Sequence, residues 1–101
     1  MKAIDITSHR GEFFTVLQTT GHSQTAVMTI APGAEAGPAE THDGDQVVYV
    51  VEGEAVVTVD GERLTARPGT LLTIPAGAVH HVASSGSVPL FFLTIYAPPE
   101  Y

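Results

Sequence analysis

The run Val47-Val48-Tyr49-Val50-Val51-Glu52-Gly53-Glu54-Ala55-Val56-Val57-Thr58-Val59-Asp60-Gly61-Glu62-Arg63-Leu64-Thr65-Ala66 decides the fold. Its β-branched residues fall into short blocks, too short for helices, and each block ends on a glycine-bearing turn. Residues 47–51 are apolar in succession and predict a strand covered on both faces. Glu52-Gly53 turns the chain and residues 55–59 run on as a second strand. Asp60-Gly61 is the strongest hairpin signal in the chain, since a two-residue turn of the favoured type needs positive φ at both positions. Residues 63–66 return from it.

Outward from that hairpin the same pattern repeats. Downstream, Arg67-Pro68-Gly69-Thr70 makes a turn and residues 71–74 a strand, which Pro75-Ala76-Gly77 stops. Residues 79–83 carry His80 and His81, and residues 89–96 form the last and most apolar strand. Upstream, residues 13–17 and 25–30 read as strands, with Ala26, Met28 and Ile30 on one face. Residues 34–38 are small and read as a flexible loop. No helical period of useful length occurs, and no repeat or linker divides the chain. The expectation is one all-β domain over residues 1–101, an antiparallel β-barrel or sandwich of about eight to ten strands. Its core spans about 13–97. Because the last strand is apolar on successive residues, its second face calls for cover, and a homodimer through that region is expected.

Composition narrows the partners. Eleven acidic residues stand against four basic ones, giving a formal charge of −7. Nucleic acid and anionic membrane surfaces demand cationic contacts, so neither is expected. With no cysteine there can be no disulfide, thiolate metal site or cysteine nucleophile. No apolar stretch approaches the roughly 20 residues that cross a bilayer, and the N-terminus lacks the apolar segment of a signal peptide, so a cytoplasmic protein is expected.

Two stretches carry the chemistry. Glu40-Thr41-His42-Asp43-Gly44-Asp45-Gln46 crowds imidazole, carboxylate and carboxamide groups at the entrance to a buried strand. Burying such groups costs free energy unless something pairs with them, and a metal ion would satisfy all three kinds at once. In an extended segment Glu40 and His42 point to one side, and Gln46 joins them if Asp43-Gly44-Asp45 does not shift the register. His80, just after a tight turn, is the distant fourth ligand. Two imidazoles, a carboxylate and an amide oxygen suit one divalent transition metal (Fe, Mn, Ni, Co or Zn) and not Cu(I). The plainer readings are a metal-free polar pocket for the two histidines, an amide that only orients His42 for Gln46, and a solvated carboxylate for Glu40. Asp43 and Asp45 read as loop acids, His81 as facing away from the pocket, and Tyr96 first as core packing.

These residues resemble the cupin superfamily, small β-barrels of the double-stranded jelly-roll type. The family's second motif, G-x5-P-x-G-x2-H-x3-N, is met by Gly69, Pro75, Gly77 and His80, with Ser84 where Asn is usual. Its first motif, G-x5-H-x-H-x3-4-E-x6-G, is met loosely. Gly53 is the final glycine, Gln46 stands at the Glu position, His42 at the second His and Glu40 at the first, and the leading glycine is out of register. Fifteen residues, 54–68, separate the motifs. The resemblance runs over residues 13–100 and implies a metal-binding barrel pocket. Replacing His by Glu40 adds a negative charge and replacing Glu by Gln46 removes one, so the ligand charge of the family's site is preserved.

The expected function is therefore a metal-binding barrel acting on a small neutral or weakly charged molecule by oxygenase-, isomerase- or lyase-type chemistry. The alternative is a non-catalytic module that binds or senses a small ligand. Glu40 is the candidate general base if it is not a ligand. Four basic residues in the whole chain argue against a phosphorylated sugar.

Overall fold

Short apolar blocks between turn residues build eight strands in a computed structural model that describes all 101 residues. They are β1 (Phe14–Thr19), β2 (Gln24–Ile30), β3 (Asp45–Glu52), β4 (Ala55–Val59), β5 (Glu62–Ala66), β6 (Leu71–Ile74), β7 (His80–Ser84) and β8 (Leu90–Ala97). A 3-10 turn at Ile6–His9 precedes them. The strands form two antiparallel sheets, β1-β2-β8-β3-β6 and β5-β4-β7. This is the expected jelly-roll arrangement. No helix is long and apolar enough to cross a membrane.

Alternation along each strand sends one face inward. Val48 and Val50 of β3, Phe92 of β8, Met28 and Ile30 of β2, and Val57 of β4 meet between the sheets and are almost wholly buried. The Asp60-Gly61 turn has the two positive φ values that its sequence predicts, 48° and 83°. It also reaches beyond its own hairpin. The Asp60 amide donates to the Val79 carbonyl at 2.8 Å, and the Asp60 carboxylate accepts from the Val79 amide at 2.8 Å. The turn thereby grips the backbone just ahead of His80. At Gly53 a Cβ would come within 2.4 Å of the Pro89 carbonyl oxygen, so only glycine fits where β3 turns towards β4.

Two readings change. Residues 34–40 are not a free loop: they run antiparallel to β7, with Ala36 N–H donating to Val82 O at 2.9 Å and isolated bridges Glu35–Ala83 and Glu40–His80. Alanine, glycine and proline carry little strand propensity, and Gly37 and Pro38 interrupt the ladder, so tertiary pairing decides this segment where local preference does not. The last strand, β8, lies between β2 and β3 inside the larger sheet. Its outward Phe91 is buried, and the Arg10 guanidinium lies 5.1 Å from its ring centroid and pairs with Glu52 at 3.0 Å. Part of the cover expected from a second copy therefore comes from the chain's own N-terminal segment.

Candidate metal centre and pocket

Backbone pairing brings the two chemical stretches together. Glu40 and His80 form a mutual antiparallel bridge, each amide donating to the other's carbonyl at 3.0 and 2.9 Å. Gly77 N–H donates to the His42 carbonyl at 2.8 Å, and Asp45 accepts from the Ala76 amide at 3.0 Å. The Pro75-Ala76-Gly77 turn is thus fastened to the polar cluster from below, and Asp45 acts as its anchor. The potential ligand atoms of Glu40, His42 and His80 lie within 4.8 Å of one another. Opposite ligands on a small divalent ion are separated by about 4.2 Å, twice a bond of roughly 2.1 Å, so minor side-chain rotation closes the set.

Hydrogen bonding fixes which imidazole nitrogens are available. His42 Nδ1 lies 2.8 Å from Glu100 Oε1, and His80 Nδ1 lies 3.1 Å from the Ala78 carbonyl. A carbonyl can only accept, and an ionised carboxylate likewise, so both Nδ1 atoms carry a hydrogen, and in the neutral ring that tautomer leaves the lone pair on Nε2. His42 Nε2 faces Glu40 Oε1 at 3.5 Å. Gln46, 5% exposed, donates through Nε2 to Thr94 Oγ1 at 3.0 Å, which leaves its Oε1 buried with no partner. The ligand atoms of Glu40, His42 and His80 therefore cluster, and Gln46 lines the same cavity with a buried acceptor oxygen that has no partner. A cation is what such a set lacks, and the donors fit a borderline divalent metal.

Beside the cluster opens a cavity of about 250 Å³ bordered by Glu40, Gln46 and His80. Phe13, Phe14, Met28, Phe92, Tyr96 and Tyr101 supply much of its wall. Tyr96 packs in the core as expected, 3% exposed, and also borders the cavity, with its ring centroid 5.5 Å from that of His42. Burial, then the neighbouring Tyr101, hold its phenol in the protonated form well beyond the usual tyrosine range. Burial followed by the carboxylates of Glu40 and Glu100 raises Tyr101 too. His81 turns away from the cluster to pair with Glu35 at 2.9 Å, though it still borders the cavity. Arg63 and Arg67 are exposed and do not line it.

Glu100 and Tyr101 are the residues that sequence reasoning missed. The segment after β8 folds back so that Glu100 reaches His42 and Tyr101 packs edge-on against Phe14 and Tyr96, at 5.0 and 5.2 Å. Gln24 secures it by donating to the Tyr101 carbonyl at 2.7 Å and accepting from the Tyr101 amide at 2.9 Å. The available signal was Gly44. A Cβ there would stand 2.6 Å from the Ala97 carbonyl oxygen, marking the close passage of this segment over the cluster.

A two-sheet jelly roll enclosing a His/Glu cluster beside an apolar pocket defines a small barrel protein with a possible metal site. Residues 26–96 match the family described as the Cupin domain, and the chain belongs to it. The chain is 30% identical to BH2720 of Bacillus halodurans, whose crystal structure superposes with a TM-score of 0.91 over 99% of this chain and 83% of that one. For TT1209 of Thermus thermophilus the identity is 28% and the TM-score 0.83, over 97% and 98%. The uncharacterised protein YrkC of Bacillus subtilis is 27% identical over 101 aligned residues, 94% of this chain, which spans 54% of that protein's length.

Proposed function

We propose that the chain binds one divalent transition metal through His42, His80, Glu40 and Gln46, and that the bound ion acts on a small neutral or weakly charged organic molecule in the adjoining cavity. The observation that carries this reading is the clustering of the ligand atoms of Glu40, His42 and His80, beside which Gln46 lines the same cavity with its Oε1 buried and unpartnered. When bound, the metal supplies Lewis acidity or, for a redox-active ion, access to oxygen chemistry. The protein's own part is to hold both imidazoles by their Nδ1 hydrogens, to fix the Gln46 amide through Thr94, and to keep water from the apolar wall. If Glu40 stands outside the metal's coordination, its half-exposed carboxylate is the base nearest the cavity.

A second reading, non-catalytic binding or sensing, is favoured by the scarcity of acid–base groups. With Glu40 used as a ligand, the cavity wall retains only the Tyr96 and Tyr101 phenols and the Glu35-paired His81. Elemental analysis of protein purified without chelator tests the first point. Wild type should hold close to one transition metal per chain and His42→Ala should hold none. Sub-stoichiometric metal after metal-replete growth would reject the metal reading. Full occupancy with no turnover of any candidate substrate would select the binding module.

The proposal includes a homodimer through the outer face of the larger sheet. Val47, Tyr49, Leu71, Leu93 and Ile95 alternate outward there, and the cross-strand rows containing them carry no charged residue. In a chain of formal charge −7, a charge-free face is the one that two copies can bring together. Light scattering should give twice the chain mass for wild type and the chain mass for Leu71→Glu. A monomeric wild type would reject it.

A further inference from the structure

Side chains alone fasten the segment that follows β8. Residues 98–101 lie outside every strand and make no backbone–backbone hydrogen bond. Three side-chain hydrogen bonds hold them instead. Glu100 Oε1 lies 2.8 Å from His42 Nδ1, and Gln24 donates to the Tyr101 carbonyl at 2.7 Å and accepts from the Tyr101 amide at 2.9 Å. His42 precedes β3 and Gln24 opens β2, and β8 lies between those two strands. The segment therefore crosses the end of β8 from one flanking strand to the other, with Tyr101 edge-on to Tyr96.

Its root is fixed. Ala97 pairs with Asp45, and a Cβ on Gly44 would stand 2.6 Å from the Ala97 carbonyl oxygen, so motion is confined to the residues beyond. A segment without backbone bonds belongs to the part of a protein that opens locally at low cost. Tyr101 is a wall residue of the cavity and is 59% exposed. Releasing it opens that wall to solvent without breaking any strand pairing.

Glu100 grips the imidazole nitrogen that His42 does not offer to an ion. A cation at Nε2 draws electron density from the ring and makes the Nδ1 hydrogen a stronger donor to that carboxylate. Resting on the metal reading above, we infer that residues 98–101 form a side-chain-latched strap over the cavity, and that metal at His42 holds it shut through Glu100. The coupling is reciprocal. A closed strap orients His42, so it tightens the metal by the same factor with which the metal favours closure. Access to the cavity thereby follows metal occupancy: the strap opens readily in the metal-free protein and stays closed in the loaded one.

Residue-resolved amide exchange of the full chain, chelator-treated and zinc-saturated, tests this. In wild type, zinc should slow exchange of the Tyr101 amide by about fivefold or more. It should leave unchanged the Gly11 amide, which a side chain also holds, Thr29 Oγ1 at 2.9 Å, at the other end of β2. In Glu100→Ala at saturating zinc the protection of Tyr101 should vanish, while β3 and β8 amides stay protected and show that the variant is folded. Gln24 hydrogen-bonds to none of the proposed ligands. Gln24→Ala should nonetheless weaken zinc binding by up to the same factor, and should cost nothing further beside Glu100→Ala, because the coupling runs through Glu100. Zinc bound at one per chain without protecting Tyr101 would overturn the inference and leave the metal reading standing, as would a Gln24→Ala loss that persists in full beside Glu100→Ala. A chain that retains no zinc would overturn both.

Discussion

Removing the Glu100 carboxylate takes from His42 the acceptor that holds its Nδ1 hydrogen and aims its ring. Partners of this kind usually govern metal affinity by about tenfold to a hundredfold. Glu100→Ala should therefore weaken zinc binding by that factor in competition with a chromophoric chelator, while Glu100→Gln, which can still accept through its amide oxygen, should lose less. Equal and negligible losses would show that His42 needs no such support. Tyr96 makes a second prediction at this scale. Its folded pKa lies above the unfolded value of about 10, so the phenol contributes stability that is present below that pH and lost as pH rises through the interval between the two values. The melting temperature of wild type should fall as pH climbs past about 10, and Tyr96→Phe should flatten that fall. The meeting of Glu40 and His42 with His80 was legible in the sequence, because two polar stretches flanked by buried strands need a reason to be there. Glu100 was not, since nothing local tells which way a segment rich in proline turns.

Among the elements, the segment at residues 34–40 matters most to the site because it holds Glu40 beside β7. Ala36 is its firmest attachment midway, through a 2.9 Å bond to Val82. Ala36→Pro deletes that donor, costing at least about 1 kcal/mol, and should loosen Glu40. The expected result is faster amide exchange at Glu40 and His80 with weaker metal binding, while β2, β3 and β8 remain protected. Unchanged exchange at His80 would show that the bridge stands by itself. All eight strands could be read from residue pattern and turn chemistry, with ends displaced by no more than two residues. The pairing of residues 34–40 with β7 could not, because Ala34, Ala36 and Gly37 acquire strand character only from the neighbour they lie against.

For the molecule as a whole, a ligand that binds only the folded state adds stability by mass action. A metal at about a hundred times its dissociation constant contributes about 2.7 kcal/mol. In a domain of this size that raises the melting temperature by roughly 10–20 °C. Wild type should show this shift with zinc and His80→Ala should not; a shift retained in the variant would place the metal elsewhere. The jelly roll was legible as a whole because Gly69, Pro75, Gly77 and His80 keep the spacing of a tight turn before a returning strand. The aromatic wall was not legible, because Phe14, Tyr96 and Tyr101 converge only after the ends of the chain have folded onto the barrel.

The Glu40–His80 bridge has a consequence for the order of events in folding. Four strands, β3 to β6, lie between its two members, so closing it is a late, long-range contact with a large loop-closure cost. A metal that needs both residues meets only the Glu40–Gln46 half of its site before the bridge closes, and so does not template the barrel. It captures the finished one. Zinc should therefore slow unfolding and leave the refolding rate in stopped-flow measurements nearly unchanged, as expected for an interaction absent from the transition state. Accelerated refolding would mean that Glu40 and His80 meet early. With unfolding slowed and refolding unchanged, the metal acts as a kinetic lock, determining how long the protein stays folded.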